Sequence, residues 1–281
     1  MNFLKINTLL ILSFILFFNG KIAEENNNIE VKASAPEAVY TFAIVPQFHS
    51  QSLFRIWNPI IQALNKETGL KFRLSGNSSF IGFENELKNG KYDIAYVNPY
   101  HAYMAHNSQK YEAILSDTEK KVQGILVVKK DSKENAKTLT NKEVAFPSPN
   151  TLASSIMLRS ELESKFKVKV RPQYLKTHTD VYMNVYKGNY SAGGGVERTF
   201  EKLSPKIKNA LKIVHKTAKI PAHPIVIHPR VPKEVRAKVI AAFIQMGKVA
   251  KTKGLLQKIP VENITTTDQS VYKSLLFTAS L

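Results

Sequence analysis

Gly90-Lys91-Tyr92-Asp93-Ile94-Ala95-Tyr96-Val97-Asn98-Pro99 holds a helix stop, a strand and a turn in one short run. Asn89-Gly90 closes the amphipathic segment before it, 93–97 is an apolar strand, and Asn98-Pro99 sends the chain into a new helix. The same order recurs on both sides. Upstream, 39–45 reads as a strand. Residues 52–67 carry Leu53, Ile56, Trp57, Ile60, Ile61 and Leu64 at helical spacing, with Pro59 as an expected kink and Gly69 as a stop. A strand at 70–74 and a helix at 79–88 follow. Downstream come a short helix at 99–106 and strands at 111–115 and 122–129.

A second series starts after the polar stretch 130–142: strands at 144–146 and 168–174, helices at 152–165 and 180–186, and a short strand at 190–192 entering Gly193-Gly194-Gly195, read as a tight turn. A helix at 196–203 and a strand at 211–215 complete it. Residues 220–232 contain Pro221, Pro224, Pro229 and Pro232, which a regular helix does not tolerate, so they read as a return crossing. Helices at 233–251 and near the C-terminus then pack back on the first series. Strand and helix in alternation predict an α/β protein with largely parallel sheets in two lobes around a cleft, lobe 1 from 38–129 plus 220–281 and lobe 2 from 130–219.

The N-terminus predicts export. Met1-Asn2-Phe3-Leu4-Lys5 precedes an apolar run at 9–18 that is short for a bilayer span and ends in Asn19-Gly20-Lys21, the layout of a cleaved signal peptide over 1–23. No cysteine follows it, so a lipoprotein is not expected. Residues 24–37 read as a polar linker. The chain has no cysteine at all, which removes disulfides, thiol nucleophiles and Cys-based zinc sites. Net charge is +18, two less without Lys5 and Lys21, and points to an anionic partner. Export, and lysines spread along the chain, argue against nucleic acid.

Ligands of open α/β sheets sit beyond the carboxyl ends of the strands. Those positions hold Gln47, Phe48, His49 and Ser50 after the first strand, and Tyr96, Asn98, Tyr100 and His101 at the third. Phe146-Pro147-Ser148-Pro149-Asn150-Thr151 leads into a helix containing Ser154 and Ser155, either a simple cap or an anion seat on free backbone N–H groups. Thr177-His178-Thr179-Asp180 again joins strand to helix. Arg198 after the glycines is a bidentate anion donor or a surface ion pair, and His223 lies in the return crossing. No phosphate loop, dinucleotide fingerprint, nucleophile elbow or helical metal-binding His pair is present, so neither an enzyme nor a cofactor is expected. His49, His101, His178 and His223 leave a scattered metal site open.

With these motifs the chain resembles the phosphate/phosphite/phosphonate ABC-transporter substrate-binding proteins of the type II periplasmic binding fold. Residues 90–99, 146–151, 177–180 and Ile220-Pro221-Ala222-His223-Pro224-Ile225 carry the resemblance, which runs from Thr41 to the C-terminal helices. It implies a monomeric periplasmic protein that captures a small anionic ligand for an inner-membrane ABC permease, with Tyr96, Thr151 and His178 as ligand groups. The family's Ser-Thr-Ser-Gly run is Thr151-Leu152-Ala153-Ser154 here, and the acid that meets a ligand amine has only Glu197 as a candidate. The expected ligand set is thus Tyr96, Asn98, Thr151, Ser154, Ser155, His178, Thr179, Arg198, His223 and His49. A ligand sensor serving a membrane receptor and a His-based metal binder are the rival readings.

Overall fold

The computed structural model describes residues 38–259 and 261–273; the expected signal peptide and linker lie outside the described residues. The first series builds β1 (Val39–Ile44), β2 (Lys71–Ser75), β3 (Ile94–Tyr96) and β4 (Glu112–Asp117). Then follow β5 (Lys121–Lys129), β6 (Glu143–Phe146), β7 (Arg171–Tyr174), β8 (Ala192–Val196) and β9 (Leu211–Pro221). The last strands are β10 (Ile225–Ile227) and β11 (Ile264–Thr266). The helices are α1 (Ser50–Thr68), α2 (Phe80–Lys88), α3 (Pro99–Gln109), α4 (Leu158–Phe166), α5 (His178–Lys187), α6 (Glu197–Glu201), α7 (Pro205–Asn209), α8 (Lys233–Lys248), α9 (Ala250–Gln257) and α10 (Ser270–Lys273). Among the described residues no helix is long and apolar enough to cross a membrane.

Two mixed sheets form, in the orders β11-β4-β10-β3-β1-β2 and β7-β6-β8-β5-β9. Parallel pairing is confined to β1 with β2 and β3, and to β6 with β7 and β8; the remaining pairs are antiparallel. The expectation of largely parallel sheets is corrected by the crossings. β10 arrives from the other sheet beside the end of β3, so it must run against it. Strand β5, on the first-lobe side of the expected 129/130 boundary, pairs in the second sheet, and the chain passes between sheets at 118–120 and 222–224.

Helix α1 runs unbroken through Pro59 and stops at Gly69, whose φ of 68° lets its N–H reach the Asn65 carbonyl. Its buried stripe of Trp57, Ile60, Ile61 and Leu64 seats it on the first sheet, each side chain contributing roughly 1.5–3 kcal/mol. The Trp57 ring packs 5.7 Å from Phe42 and 4.9 Å from Tyr96, so the strand that carries a candidate ligand group is wedged by the main core.

The expected helix at 152–165 forms, but its first part, Leu152–Met157, is π-helical before α4 begins. This wide turn lies flat on the second sheet because the sheet has glycines under it. A Cβ on Gly124 would stand 2.1 Å from the Ala153 carbonyl, and one on Gly194 would stand 2.3 Å from the Ser154 carbonyl. Gly193-Gly194-Gly195 is therefore no turn. All three residues lie in buried β8, with Val181 and Val185 over Gly193 and the Tyr182 ring over Gly195. Absent side chains let the helices and the 151–157 segment approach the strand, which fixes where the loops after β6 and β8 emerge.

Two substitutions check this packing. In Gly195→Ala the new methyl would lie 2.0 Å from the Tyr182 hydroxyl. The variant is expected to lose about 3 kcal/mol of unfolding free energy in urea titrations. Gly254→Ala in α9 meets open space and is expected to gain about 0.5–1 kcal/mol in the same assay.

Candidate functional site

β1 and β3 are parallel neighbours, so their carboxyl ends deliver Gln47 and Asn98 to one edge of the first sheet. β6, β7 and β8 do the same in the second sheet for Thr151, His178 and Arg198. The two edges face each other, and the 222–224 link carries His223 between them. A small, partly open cavity of about 20 Å³ lies there, walled by Gln47, Phe80, Asn98, Thr151, Ser154, His178 and His223, with Val122, Leu152, Val196 and Ile220 as its apolar side. A second cavity of about 20 Å³ adjoins it. Gln47 is common to both, and Phe48, Trp57, Tyr96, Arg198 and Lys202 line the second. Each holds about one or two waters, less than a tetrahedral oxyanion. A larger hollow, about 390 Å³ between Phe54, Arg73 and the 75–78 loop, contains none of the expected groups.

The donors around the gap are under-used. His178 is 3% and His223 5% exposed, yet Nδ1 of each has no partner; Ser155 Oγ and Arg198 Nη2 are likewise buried and unpaired. Leaving such atoms buried and unbonded costs free energy of about 1–3 kcal/mol each. The Gln47 amide N–H donates to His223 Nε2 at 2.6 Å, which puts the ring proton on Nδ1 and makes it a donor. Burial, reinforced by the Arg198 charge, pushes the His178 pKa down to about 3, and burial followed by Arg198, His101 and His178 pushes His223 well down. Both rings are neutral at pH 7.

One carboxylate is buried close by, and it is engaged. Glu84 accepts from His101 Nε2 at 2.9 Å and, across the gap, from Asn150 Nδ2 at 2.8 Å. Burial raises its pKa, but the His101 and Asn150 bonds and the His101 charge outweigh this and hold it below the usual value. This bond ties the 146–151 loop to α2 and orients Thr151 toward the cavity. Glu197 is half-exposed and pairs with Lys216, so it does not enter either cavity.

The expected ligand residues separate in space. Asn98, Thr151, Ser154, His178 and His223 line the first cavity; Tyr96 and Arg198 line the second. Asn98 also caps α3 by accepting from the His101 N–H, and Thr151 Oγ1 donates to the Ser148 carbonyl at 3.3 Å. Ser155 is buried behind the lining, and Thr179 lines neither cavity, because the first turn of α5 points it away from His178. His49 lies at the start of α1 with 59% of its side chain exposed, 3.6 Å from Asp180, and belongs to the rim. Gln47, Phe80, Glu84 and Lys202 were outside the expected set. Among the described residues no three His, Asp or Glu groups converge to hold a metal.

Two α/β lobes joined by two short links, with polar groups from the strand ends of both meeting in a closed gap, define a type II periplasmic binding protein. A family profile described as ABC transporter, phosphonate, periplasmic substrate-binding protein matches residues 42–272. The chain belongs to that family. It is 22% identical over 243 residues, 81% of this chain and 72% of the relative's length, to the phosphonates-binding periplasmic protein of Escherichia coli (strain K12). The fold is similar to the binding protein component of an ABC phosphonate transporter from Pseudomonas aeruginosa, with a TM-score of 0.77, 18% identity and 87% of each chain covered. It is also similar to a Prochlorococcus marinus protein solved with methylphosphonate, with a TM-score of 0.78, 15% identity and coverage of 86% of this chain and 97% of that one.

The neutral imidazole of His178 has a consequence for stability. The unfolded chain takes up a proton near the ordinary value of 6.5, whereas the folded chain does so only near 3. The contribution is complete above pH 6.5 and is lost as the pH falls toward 3. Urea unfolding at pH 7, 5 and 4 is expected to show stability falling with acid by up to about 1.4 kcal/mol per pH unit from this group, and His178→Gln is expected to flatten that slope.

Proposed function

We propose that this chain is the periplasmic solute-binding component of an ABC importer that captures a small phosphorus oxyanion, phosphate, phosphite or a phosphonate, between its lobes and presents it to an inner-membrane permease. The observation that carries this reading is the set of unanswered buried nitrogens, His178 Nδ1, His223 Nδ1 and Arg198 Nη2, beside a gap free of unengaged carboxylate. An oxyanion in the histidine cavity supplies acceptors there and the negative charge that the gap lacks, and the Arg198 cation in the adjoining cavity favours that charge. Thr151 and Ser154 add hydroxyls, and the π-helical 152–157 segment adds backbone N–H groups at its start.

Neutral histidines suit the task, because a neutral imidazole donates one hydrogen bond without needing a counter-charge while the lobes are open. The gap is smaller than the ligand, so capture requires the lobes to part at 118–120 and 222–224 and to close again, a hinge motion. His223 stands in one of those links, and its bond to Gln47 joins ligand contact to hinge position. The 151–154 run supports a ligand with a small substituent: Leu152 and Ala153 present apolar surface where the family pattern has hydroxyls, and Val122, Val196 and Ile220 continue it.

Isothermal titration calorimetry of the protein without its signal segment is expected to show saturable binding of at least one of phosphate, phosphite and methylphosphonate. His178→Ala is expected to weaken that binding by about tenfold or more, the value of one buried hydrogen bond to a charged group. Absence of heat with all three, together with tight zinc or nickel binding, would overturn the reading.

A further inference from the structure

The second cavity is more cationic than one small oxyanion requires. Arg198 donates through Nη1 to the Tyr96 hydroxyl at 3.5 Å, leaves Nη2 buried and unpaired, and meets no carboxylate among the described residues. Lys202, one helical turn on, stands at the mouth with its ammonium 5.8 Å from the Phe48 ring centroid and bonded to the Lys258 carbonyl, again with no acidic partner. The two charges act on each other: partial burial first and then Arg198 lower the Lys202 pKa.

The walls between the two cations are aromatic and apolar: Phe48, Trp57, Tyr96, Leu53 and Ile56. A pair of like charges facing a low-dielectric pocket attracts an anion strongly. This cavity is separated from the histidine cavity by the stacked Tyr96 and His223 rings, 5.5 Å apart, and shares Gln47 with it. A ligand held at His178 and His223 through its phosphorus oxygens would extend toward Arg198 past Gln47, the residue common to both cavities.

We infer that Arg198 and Lys202 form a second anion subsite, which reads a carboxylate on the short side chain of a phosphonate whose phosphorus end occupies the histidine cavity. The inference rests on the proposed function. It makes this chain a receptor for carboxyalkyl phosphonates in preference to aminoalkyl ones: a ligand amine would meet two cations here, and Glu84 and Glu197, the carboxylates near the gap, are already bonded. The aromatic walls provide the contact surface for the methylene link.

The test compares ligands that differ in the group at the end of a short chain. Calorimetry is run with methylphosphonate, ethylphosphonate, phosphonoacetate, 3-phosphonopropionate and 2-aminoethylphosphonate on wild type and Lys202→Met. Phosphonoacetate or 3-phosphonopropionate is expected to bind about tenfold or more tighter than ethylphosphonate, the value of one charge-assisted hydrogen bond, and 2-aminoethylphosphonate more weakly than ethylphosphonate. The readout in Lys202→Met is the ratio of carboxylated to alkyl ligand, expected to fall about threefold or more while Arg198 keeps the remainder; a general effect on lobe closure through the Lys258 contact divides out. Methylphosphonate binding with no advantage for the carboxylate overturns the subsite and leaves the proposed function standing, as does an advantage that is unchanged in Lys202→Met. Binding of no phosphorus compound overturns both.

Discussion

The constraint on which the structure turns is a gap lined with donors that the protein does not satisfy from its own groups. Two neutral imidazoles, a guanidinium and several hydroxyls face a volume that holds little water, and the one buried carboxylate beside them, Glu84, is fully bonded to His101 and Asn150. A core of this polarity would not be stable on packing alone. It becomes reasonable when the gap is a place that opens, admits an acceptor-rich solute and closes on it. The bonds that span it are few and reversible: Asn150 to Glu84, Arg198 to Tyr96, Lys202 to the Lys258 carbonyl, and His49 to Asp180 at the rim.

Everything needed to place those donors follows from backbone economy in the two sheets. Parallel neighbours β1 and β3, and β6 and β8, end at the same level, so their loops emerge together. Glycines in β5 and β8 let the π-helical segment and α5 settle directly on the second sheet, which brings Ser154 and His178 to its edge. On the other side Trp57 wedges Tyr96 from below. Rigid elements thus hold the polar groups, and the proposed opening of the lobes is left to the links at 118–120 and 222–224.

Much of this was legible in the sequence because it is local. The apolar spacing of 52–67 forms α1, Asn98 and Thr177 occupy helix caps, and the rule that ligands gather at strand ends points to Thr151, Ser154 and His178, which line one cavity with His223 of the return crossing. The misreadings are non-local. Whether β5 joins the first sheet or the second is decided by β8 and β9, far along the chain. Three consecutive glycines signal a turn from sequence, and only the helices packed above β8 show that close approach is the reason for them. Glu84 had a signal that went unread: it lies on the same helical face as Phe80, Phe83 and Leu87, where a carboxylate has to be bonded. Lys202 had none, since its place at the cavity mouth depends on the second lobe facing Lys258 in the first.

The most direct measurement is a crystal structure of the protein grown with methylphosphonate. The account predicts the phosphorus atom in the cavity between Thr151, Ser154, His178 and His223, with its oxygens within hydrogen-bond reach of both Nδ1 atoms and the Gln47–His223 contact kept. A ligand bound instead in the hollow beside Phe54 and Arg73, or a metal ion coordinated by the histidines in its place, would contradict it.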